Sequence, residues 1–370
     1  MMPIPRRAFL YGSIAGAAAT RLHAQDALGT AMIGVGNRGS YLLQNVIAEQ
    51  RAKVTALCDI KPDRLDKAAT AAAASKPATV RDYRQLLERK DVQAVFIASP
   101  CDLHPEMAIA ALKAGKHVYC EKPIAITPEG VRDVLRAASE ARTVFMVGQQ
   151  RRSDPGLRQV VEKIHGGAIG KVLMIKAQRH SANDFSPTGL SGDWIFDARR
   201  SGDVIVEQSI HNLDTCNWIF NAHPDQAAGF GGALLSPDQP KGRTIMDGYT
   251  VSYDYPGGAK LSFTQVAFHP AGMPFGGEQT YVYGSDGAVL LETGTIYARG
   301  REAKPTVLGE RKRENREALH IAKFYDAILN GTKPETDATT GAIAALTAIL
   351  GREAMYKHRV MTWKELGVAI

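Results

Sequence analysis

The stretch of sequence that decides the fold is Gly34-Val35-Gly36-Asn37-Arg38-Gly39. It follows a short apolar run with the composition of a strand, and the residues after it have the composition of a helix. In a G-x-G-x-x-G turn between strand and helix, the glycines permit a tight turn, close approach of a pyrophosphate and close packing of helix on strand. The amino end of such a helix offers N–H groups to phosphates. The pattern therefore predicts a dinucleotide-binding domain.

An acidic residue stands at the distance that this kind of domain requires. Asp59 ends the second apolar run, 59 − 39 = 20 residues after Gly39. A carboxylate there accepts hydrogen bonds from the ribose hydroxyls of the adenosine and repels the 2′-phosphate of NADP. We therefore expect NAD as the cofactor, while the nearby Lys61 and Arg64 keep NADP open.

The chain changes its pattern near residue 150. Over residues 25–150, short apolar runs alternate with alanine-rich helical stretches, which predicts a doubly wound parallel sheet of the Rossmann type. Residues 151–370 contain alternating strand-like runs separated by Gly- and Pro-rich turns, which predicts an α/β domain with a large, mostly antiparallel open sheet. One helix is expected over Asp203–Phe220. Two C-terminal helices, Arg316–Leu329 and Ala338–Met355, can pack back on the first domain.

Residues 1–24 have the features of an export signal. Arg6 and Arg7 precede Phe9-Leu10 and a weakly apolar stretch, with a possible cleavage point after Ala24. This pattern resembles the bacterial twin-arginine (Tat) signal and predicts a periplasmic protein. A basic N-terminus without a targeting role is the alternative, and it would leave the protein in the cytoplasm.

Composition excludes several classes of function. The net charge is 45 − 38 = +7, and it falls to 42 − 38 = +4 without residues 1–24. That balance is too mild to predict a nucleic-acid partner, and no apolar run is long enough to predict a membrane span. The four cysteines have no metal-ligand spacing, so we expect buried thiols and no metal site, while a disulfide in an oxidising compartment stays open. They are Cys58, Cys101, Cys120 and Cys216.

Several further motifs follow the glycine turn. They are Ala98-Ser99-Pro100, His104, and the string Ala114-Gly115-Lys116-His117-Val118-Tyr119-Cys120-Glu121-Lys122-Pro123. Together they resemble the glucose–fructose oxidoreductase / inositol dehydrogenase (Gfo/Idh/MocA) family over nearly the whole chain after residue 24. The resemblance implies an NAD(P)-dependent oxidoreductase that acts on CH–OH groups of a sugar, a polyol or a derivative. It also implies a homodimer or homotetramer formed through the second sheet.

The same resemblance assigns catalytic roles. Lys122 matches the lysine that contacts the nicotinamide and the reacting hydroxyl, and a cation there stabilises the negative charge that develops on oxygen. His211 matches the catalytic histidine, which is suited to take the alcohol proton. Glu207 stands where many relatives have aspartate, and as a catalytic residue its longer arm is expected to orient His211 or to reach the substrate itself. Because one helix is expected over this stretch, we expect Glu207, His211 and Asp214 to share a face.

The remaining candidates are assigned by position. The residues expected to bind the cofactor are Gly34, Gly36, Asn37, Arg38, Gly39, Asp59, Ser99, Pro100, His104, Glu121, Lys122 and Gln149. The weaker candidates for contact with the substrate are Arg152, Trp194 and Asp214.

Export and cofactor use together constrain the chemistry. A folded protein exported by the Tat route can carry its cofactor along, but it meets no cofactor pool outside. We therefore expect tightly bound NAD(P) that is restored within each catalytic cycle. Paired oxidation and reduction of two substrates meets this demand. So does an NAD-dependent glycoside hydrolase that uses transient oxidation and elimination. A non-catalytic, cofactor-dependent sugar-binding protein is a third possibility.

Overall fold

The structure is a computed structural model, and it describes residues 27–182, 193–235, 238–300, 304–307 and 314–370. The predicted export signal lies outside these ranges. Within them, no helix is both long enough and apolar enough to cross a membrane.

The first half of the chain forms a parallel sheet. Its strands in the described chain are β1 (Leu28–Ile33), β2 (Ala52–Cys58), β3 (Ala78–Val80), β4 (Ala94–Ile97), β5 (His117–Cys120) and β6 (Phe145–Val147). Their spatial order is β3-β2-β1-β4-β5-β6, so the order reverses between β1 and β4. Ligands of open parallel sheets bind outside the carboxyl ends of the strands at such a reversal. The predicted Rossmann sheet is confirmed.

Helices alternate with these strands. They are α1 (Asn37–Ala48), α2 (Pro62–Ala71), α3 (Tyr83–Leu87), α4 (His104–Lys113) and α5 (Pro128–Glu140). Helix α5 begins where its sequence predicts, because Pro128 stands in its first turn and the hydroxyl of Thr127 accepts a hydrogen bond from Gly130 N at 3.1 Å.

The second half contains a larger sheet. Its strands in the described ranges are β7 (Val172–His180), β8 (Gln226–Gly232), β9 (Gly248–Asp254), β10 (Lys260–Val266), β11 (Gly277–Gly284), β12 (Gly287–Leu290), β13 (Thr295–Ala298), β14 (Thr306–Val307) and β15 (Met361–Thr362). The order is β14-β13-β12-β11-β7-β10-β9-β8-β15. Only β7 and β10 pair in parallel among these described strands, which confirms the mostly antiparallel sheet.

Six more helices belong to this half of the described chain. They are α6 (Pro155–His165), α7 (Ala198–Ser201), α8 (Val204–Glu207), α9 (Ile210–Phe220), α10 (Arg316–Asn330) and α11 (Ala338–Tyr356). Helix α11 lies between the two sheets, where it contacts α5 and β6 on one side and α9 and β8 on the other. Helix α10 packs on α1, and Phe324 and Tyr325 join the core of the first sheet. The C-terminal helices thus fix the first sheet relative to the second.

The single helix predicted over Asp203–Phe220 is wrong. The chain enters α8 at Asp203 with a φ of +72°, and it turns at Gln208 and Ser209 before α9 begins. The break is stabilised from outside the segment, because the hydroxyl of Ser209 is hydrogen-bonded to Tyr249 Oη at 2.5 Å and to the side chain of Gln265. Buried partners of this kind override local helix periodicity.

All four cysteines are buried, as the sequence predicts, and they form no disulfide in this structure. Burial raises the pKa of the Cys58 thiol to about 12, so this thiol stays protonated at neutral pH.

Candidate active site

The glycine turn has the geometry that a phosphate cradle needs. Gly34 adopts a φ of +85°, and a Cβ there would lie 2.5 Å from the carbonyl oxygen of Ala98. A Cβ on Gly39 would lie 2.0 Å from the carbonyl oxygen of Gly34, so helix α1 packs directly on the turn. Gly36 is the N-cap residue of α1 and has no side chain to cap the helix. Asn37, the first residue of the helix, is exposed. The free N–H groups of this first turn are available to an anion.

Asp59 connects the turn to the end of β2. Its carboxylate accepts a hydrogen bond from Val35 N at 2.9 Å and another from Lys61 N at 2.9 Å. Each carboxylate oxygen can accept a further hydrogen bond, so the contact with ribose hydroxyls remains possible. The guanidinium of Arg64 covers Gly36, because a Cβ there would lie 2.9 Å from its Nη1.

Lys122 follows β5 and is held by Glu207. Its ammonium donates hydrogen bonds to Glu207 Oε1 at 3.0 Å and to the backbone carbonyl of Glu207. The two side chains are 13% and 16% exposed. Burial is the largest influence and disfavours the charge, but Glu207, Cys101 and Glu121 together outweigh it and raise the pKa of Lys122. Lys122 is therefore a cation at neutral pH with one N–H left to donate.

His211 lies in the first turn of α9 within range of several cations. Its Nδ1 is buried and has no hydrogen-bond partner in the described part of the chain. Burial, then the charge of Lys122, then that of Arg151 lower the pKa of His211 well below its ordinary value. The imidazole is therefore neutral at neutral pH and can accept a proton.

The expected common face of Glu207, His211 and Asp214 is not present. Glu207 ends α8 and turns to Lys122, whereas His211 belongs to α9. Asp214 is bound by Arg152, which donates from Nη2 at 2.8 Å and from Nε at 3.0 Å. The break at Gln208 and Ser209 is the physical reason, because it interrupts the helix between Glu207 and His211.

The weaker substrate candidates occupy structural positions. Asp214 is 1% exposed, and the guanidinium of Arg152 lies 5.3 Å from the ring centre of Trp218. Trp194 is partly buried and packs against the larger hydrophobic core. The Arg152–Asp214 pair joins the turn after β6 to α9.

His104 connects two loops of the site. Its ring nitrogens lie 2.6 Å from the carbonyl oxygen of Pro123 and 2.9 Å from that of Ser99, and Pro100 follows in the same loop. Burial lowers the pKa of His104 in spite of these two acceptors. Its position fixes the loop after β4 against the Glu121-Lys122-Pro123 loop.

Sequence reasoning missed a charged cluster on the second sheet. Arg151 donates a hydrogen bond to Glu278 on β11, and Arg179 on β7 lies 3.8 Å from the same carboxylate. Arg179 also donates to Gln208 Oε1 at 2.8 Å, so the cluster reaches the break beside His211. Burial is the largest influence and opposes the charge of Glu278, but Arg151, Arg179 and Arg316 together lower its pKa below the ordinary value. No local motif marks these contacts, because they join strands far apart in the sequence.

Two observations test whether this site fits a nicotinamide dinucleotide. In the glycine turn, a Cβ on Gly34 or Gly39 would collide with backbone, so the turn requires glycine there, as a pyrophosphate-binding turn does. At the carboxyl end of β6, Gln149 is completely buried, yet neither its amide nitrogen nor its amide oxygen has a partner in the described chain. An unpaired buried amide is unfavourable unless a ligand pairs with it. The residues present therefore fit the cofactor, which supplies hydride chemistry when bound.

Two models of one family match the chain. "Oxidoreductase family, NAD-binding Rossmann fold" of the GFO/IDH/MocA family matches residues 28–149, and the GFO/IDH/MocA C-terminal domain matches residues 157–290. The chain belongs to the GFO/IDH/MocA oxidoreductase family. Its Rossmann domain is accordingly an NAD-binding domain, as the glycine turn predicted.

Relatives in this family include inositol dehydrogenases. The chain is 28% identical over 207 residues to myo-inositol 2-dehydrogenase of Thermotoga maritima. This match covers 56% of this chain and 59% of that protein. It is 33% identical over 194 residues to inositol 2-dehydrogenase/D-chiro-inositol 3-dehydrogenase of Lactiplantibacillus plantarum. That match covers 51% of this chain and 51% of that protein. The matches thus span about half to three-fifths of these GFO/IDH/MocA relatives.

A solved structure extends the likeness of fold to most of the chain. Levoglucosan dehydrogenase in complex with NADH superposes with a TM-score of 0.78 at 21% identity, and the match covers 90% of this chain and 98% of that one. At this identity the comparison supports the two-domain fold alone.

Proposed function

We propose that this protein oxidises a CH–OH group of a sugar, a polyol or a derivative, and that its tightly bound NAD is restored within the same cycle. The observation that carries the proposal is a cationic Lys122 after β5 together with a neutral His211 in α9, whose Nδ1 has no hydrogen-bond partner in the described chain. Hydride leaves a carbinol carbon only as the hydroxyl loses its proton. Lys122 is suited to stabilise the charge on the oxygen, and His211 is suited to accept the proton.

Lys122 has the role of stabilising negative charge on the substrate oxygen. Two of its three N–H groups are occupied by Glu207, and the third can donate to a hydroxyl that is losing its proton. Glu207 keeps the ammonium charged and in place. His211 takes the proton at its neutral ring, because burial and nearby cations lower its pKa.

Retention of the cofactor follows from the predicted export signal. A protein folded around its NAD before export has no external pool from which to replace it. Hydride removed from one substrate is then returned to a second carbonyl compound or to the same sugar. NADP remains a second cofactor to test, because Arg64 lies against Gly36 beside Asp59.

The open face of the second sheet supports a further part of the proposal, a homodimer or homotetramer. Met174, Tyr283 and Tyr297 are 41%, 39% and 45% exposed, and strand register places them in one row across the sheet. Such a row buries well against a second copy. Light scattering should give the mass of an oligomer for the wild type and that of a monomer for Tyr283→Lys.

The experiment that tests the function begins with protein purified from the exported fraction. Nucleotide released by denaturation is identified, and intact protein is incubated with a panel of sugars and polyols without added cofactor. Oxidised and reduced products in equal amounts support the proposal. Release of an aglycone without net oxidation supports the glycoside hydrolase instead. Binding of sugar without any product, unchanged in Lys122→Met, supports a sugar-binding protein.

A further inference from the structure

A glutamate outside the Rossmann sheet reaches the cofactor cradle. Glu317 stands in the first turn of α10, and its side chain is only 3% exposed. Its Oε1 accepts a hydrogen bond from Arg38 Nη2 at 2.8 Å, and the hydroxyl of Tyr119 lies 3.4 Å away. Arg38 belongs to the glycine turn, so helix α10 touches the phosphate cradle directly.

Glu121 is the second carboxylate on the same guanidinium. Its Oε1 accepts from Arg38 Nε at 2.7 Å, and its Oε2 accepts from the backbone N–H of Lys122 at 3.2 Å. A Cβ on Gly148 would lie 2.9 Å from this carboxyl group, directly before Gln149. Glu121 thus contacts the glycine turn, the main chain of Lys122 and the turn that carries Gln149.

One guanidinium therefore joins two buried carboxylates. The side chain of Arg38 is 33% exposed, whereas those of Glu121 and Glu317 are 4% and 3% exposed. Without Glu317, Arg38 would keep one partner and gain freedom to turn toward any anion in front of α1. A guanidinium held by two acceptors in fixed directions loses that freedom.

We propose that Glu317 is a positioning residue, which acts through Arg38 and Glu121 to hold the glycine turn and the main chain of Lys122 in the arrangement that binds the dinucleotide. The proposal rests on the binding of NAD and does not depend on which sugar the protein uses. Because the test measures nucleotide binding alone, a failure of the proposed sugar chemistry would leave it standing.

Helix α10 provides a matched control. Asp326 forms a second ion pair between α10 and the first domain, with Arg51, and its side chain is 53% exposed. Both Glu317→Ala and Asp326→Ala remove one carboxylate from the same helix and its ion pair with the Rossmann domain. Only Glu317 connects to Glu121 and Lys122.

The test is the affinity for NADH, measured by nucleotide fluorescence on protein freed of cofactor, together with the thermal midpoint of the cofactor-free protein. Glu317→Ala loses the hydrogen bond between the charged groups of Glu317 and Arg38. The affinity of this variant for NADH should therefore be lower than that of the wild type by about tenfold or more. Asp326→Ala should stay within about twofold of the wild type, because exposed pairs contribute little. Glu317→Gln keeps an acceptor for Arg38 and should bind more tightly than Glu317→Ala.

Equal NADH affinities in Glu317→Ala and Asp326→Ala would overturn the proposal, as would a Glu317→Gln affinity no better than that of Glu317→Ala. If Glu317→Ala shows no cooperative unfolding, Glu317→Asp replaces it. This variant keeps the charge but shortens the arm, so several-fold weaker binding is expected, and wild-type affinity would contradict the role of Glu317.

Discussion

Two ion pairs join loops of the first sheet to helices of the second half, and they differ in what they leave free. In Arg152–Asp214, the guanidinium is bound by both carboxylate oxygens and lies over Trp218. In Lys122–Glu207, the ammonium keeps one N–H unused, and its charge acts on His211, whose Nδ1 has no hydrogen-bond partner among the described residues. The bidentate pair fixes the fold, whereas the pair with an unused N–H leaves a donor for a substrate.

The largest effect expected is on stability, from Asp214→Ala. This change leaves the buried charge of Arg152 without its partner, so the free energy of unfolding should fall by about 3–5 kcal/mol. Denaturant unfolding measures the loss, and Asp133→Ala is the control because its pair with Arg136 is exposed. A loss no greater than that of Asp133→Ala would show that the Arg152–Asp214 pair does not fix the fold.

Lys122→Met should lower activity rather than stability. It removes the cation that stabilises the substrate oxygen, so turnover should fall by about 10²–10³-fold while the protein stays folded. Product formation by the cofactor-loaded protein and its thermal midpoint are measured together. Turnover within a few-fold of the wild type would contradict the role given to the Lys122–Glu207 pair.

His211→Asn should lower turnover by about 10²-fold, because the proton acceptor is lost while the ammonium remains. The control is His358→Asn, since His358 is exposed and its φ of +50° suits asparagine. If both variants turn over alike, another group must accept the proton.

The smallest effect is a shift of the pH profile. His211 is active when neutral, so kcat/KM for oxidation should be lost only as pH falls through its lowered pKa, below the ordinary value of about 6.5. Arg151→Met removes one cause of that lowering and leaves Glu278 nearby, so the acidic limb should move to higher pH by about one unit or less. An unmoved limb would mean that it reports a group other than His211.

The sequence predicts features that local motifs encode, but it does not predict contacts between distant segments. The glycine turn and the string around Lys122 are local motifs, and the sequence predicted the Rossmann sheet from them. The contact between Lys122 and Glu207 depends on a helix break that buried Tyr249 and Gln265 stabilise from distant strands. The Arg151–Glu278 pair and the contact of α10 with Arg38 likewise join remote segments. The hydrophobic periodicity of the sequence predicts none of these long-range contacts.

The most direct test of the account is a single turnover of the purified, NAD-loaded protein with no free cofactor. After mixing with a substrate, reduced nicotinamide absorbance should rise and decay while all nucleotide stays with the protein, and Lys122→Met should suppress the rise. A protein that is active only with added soluble cofactor, or whose absorbance rises equally in Lys122→Met, would contradict the account.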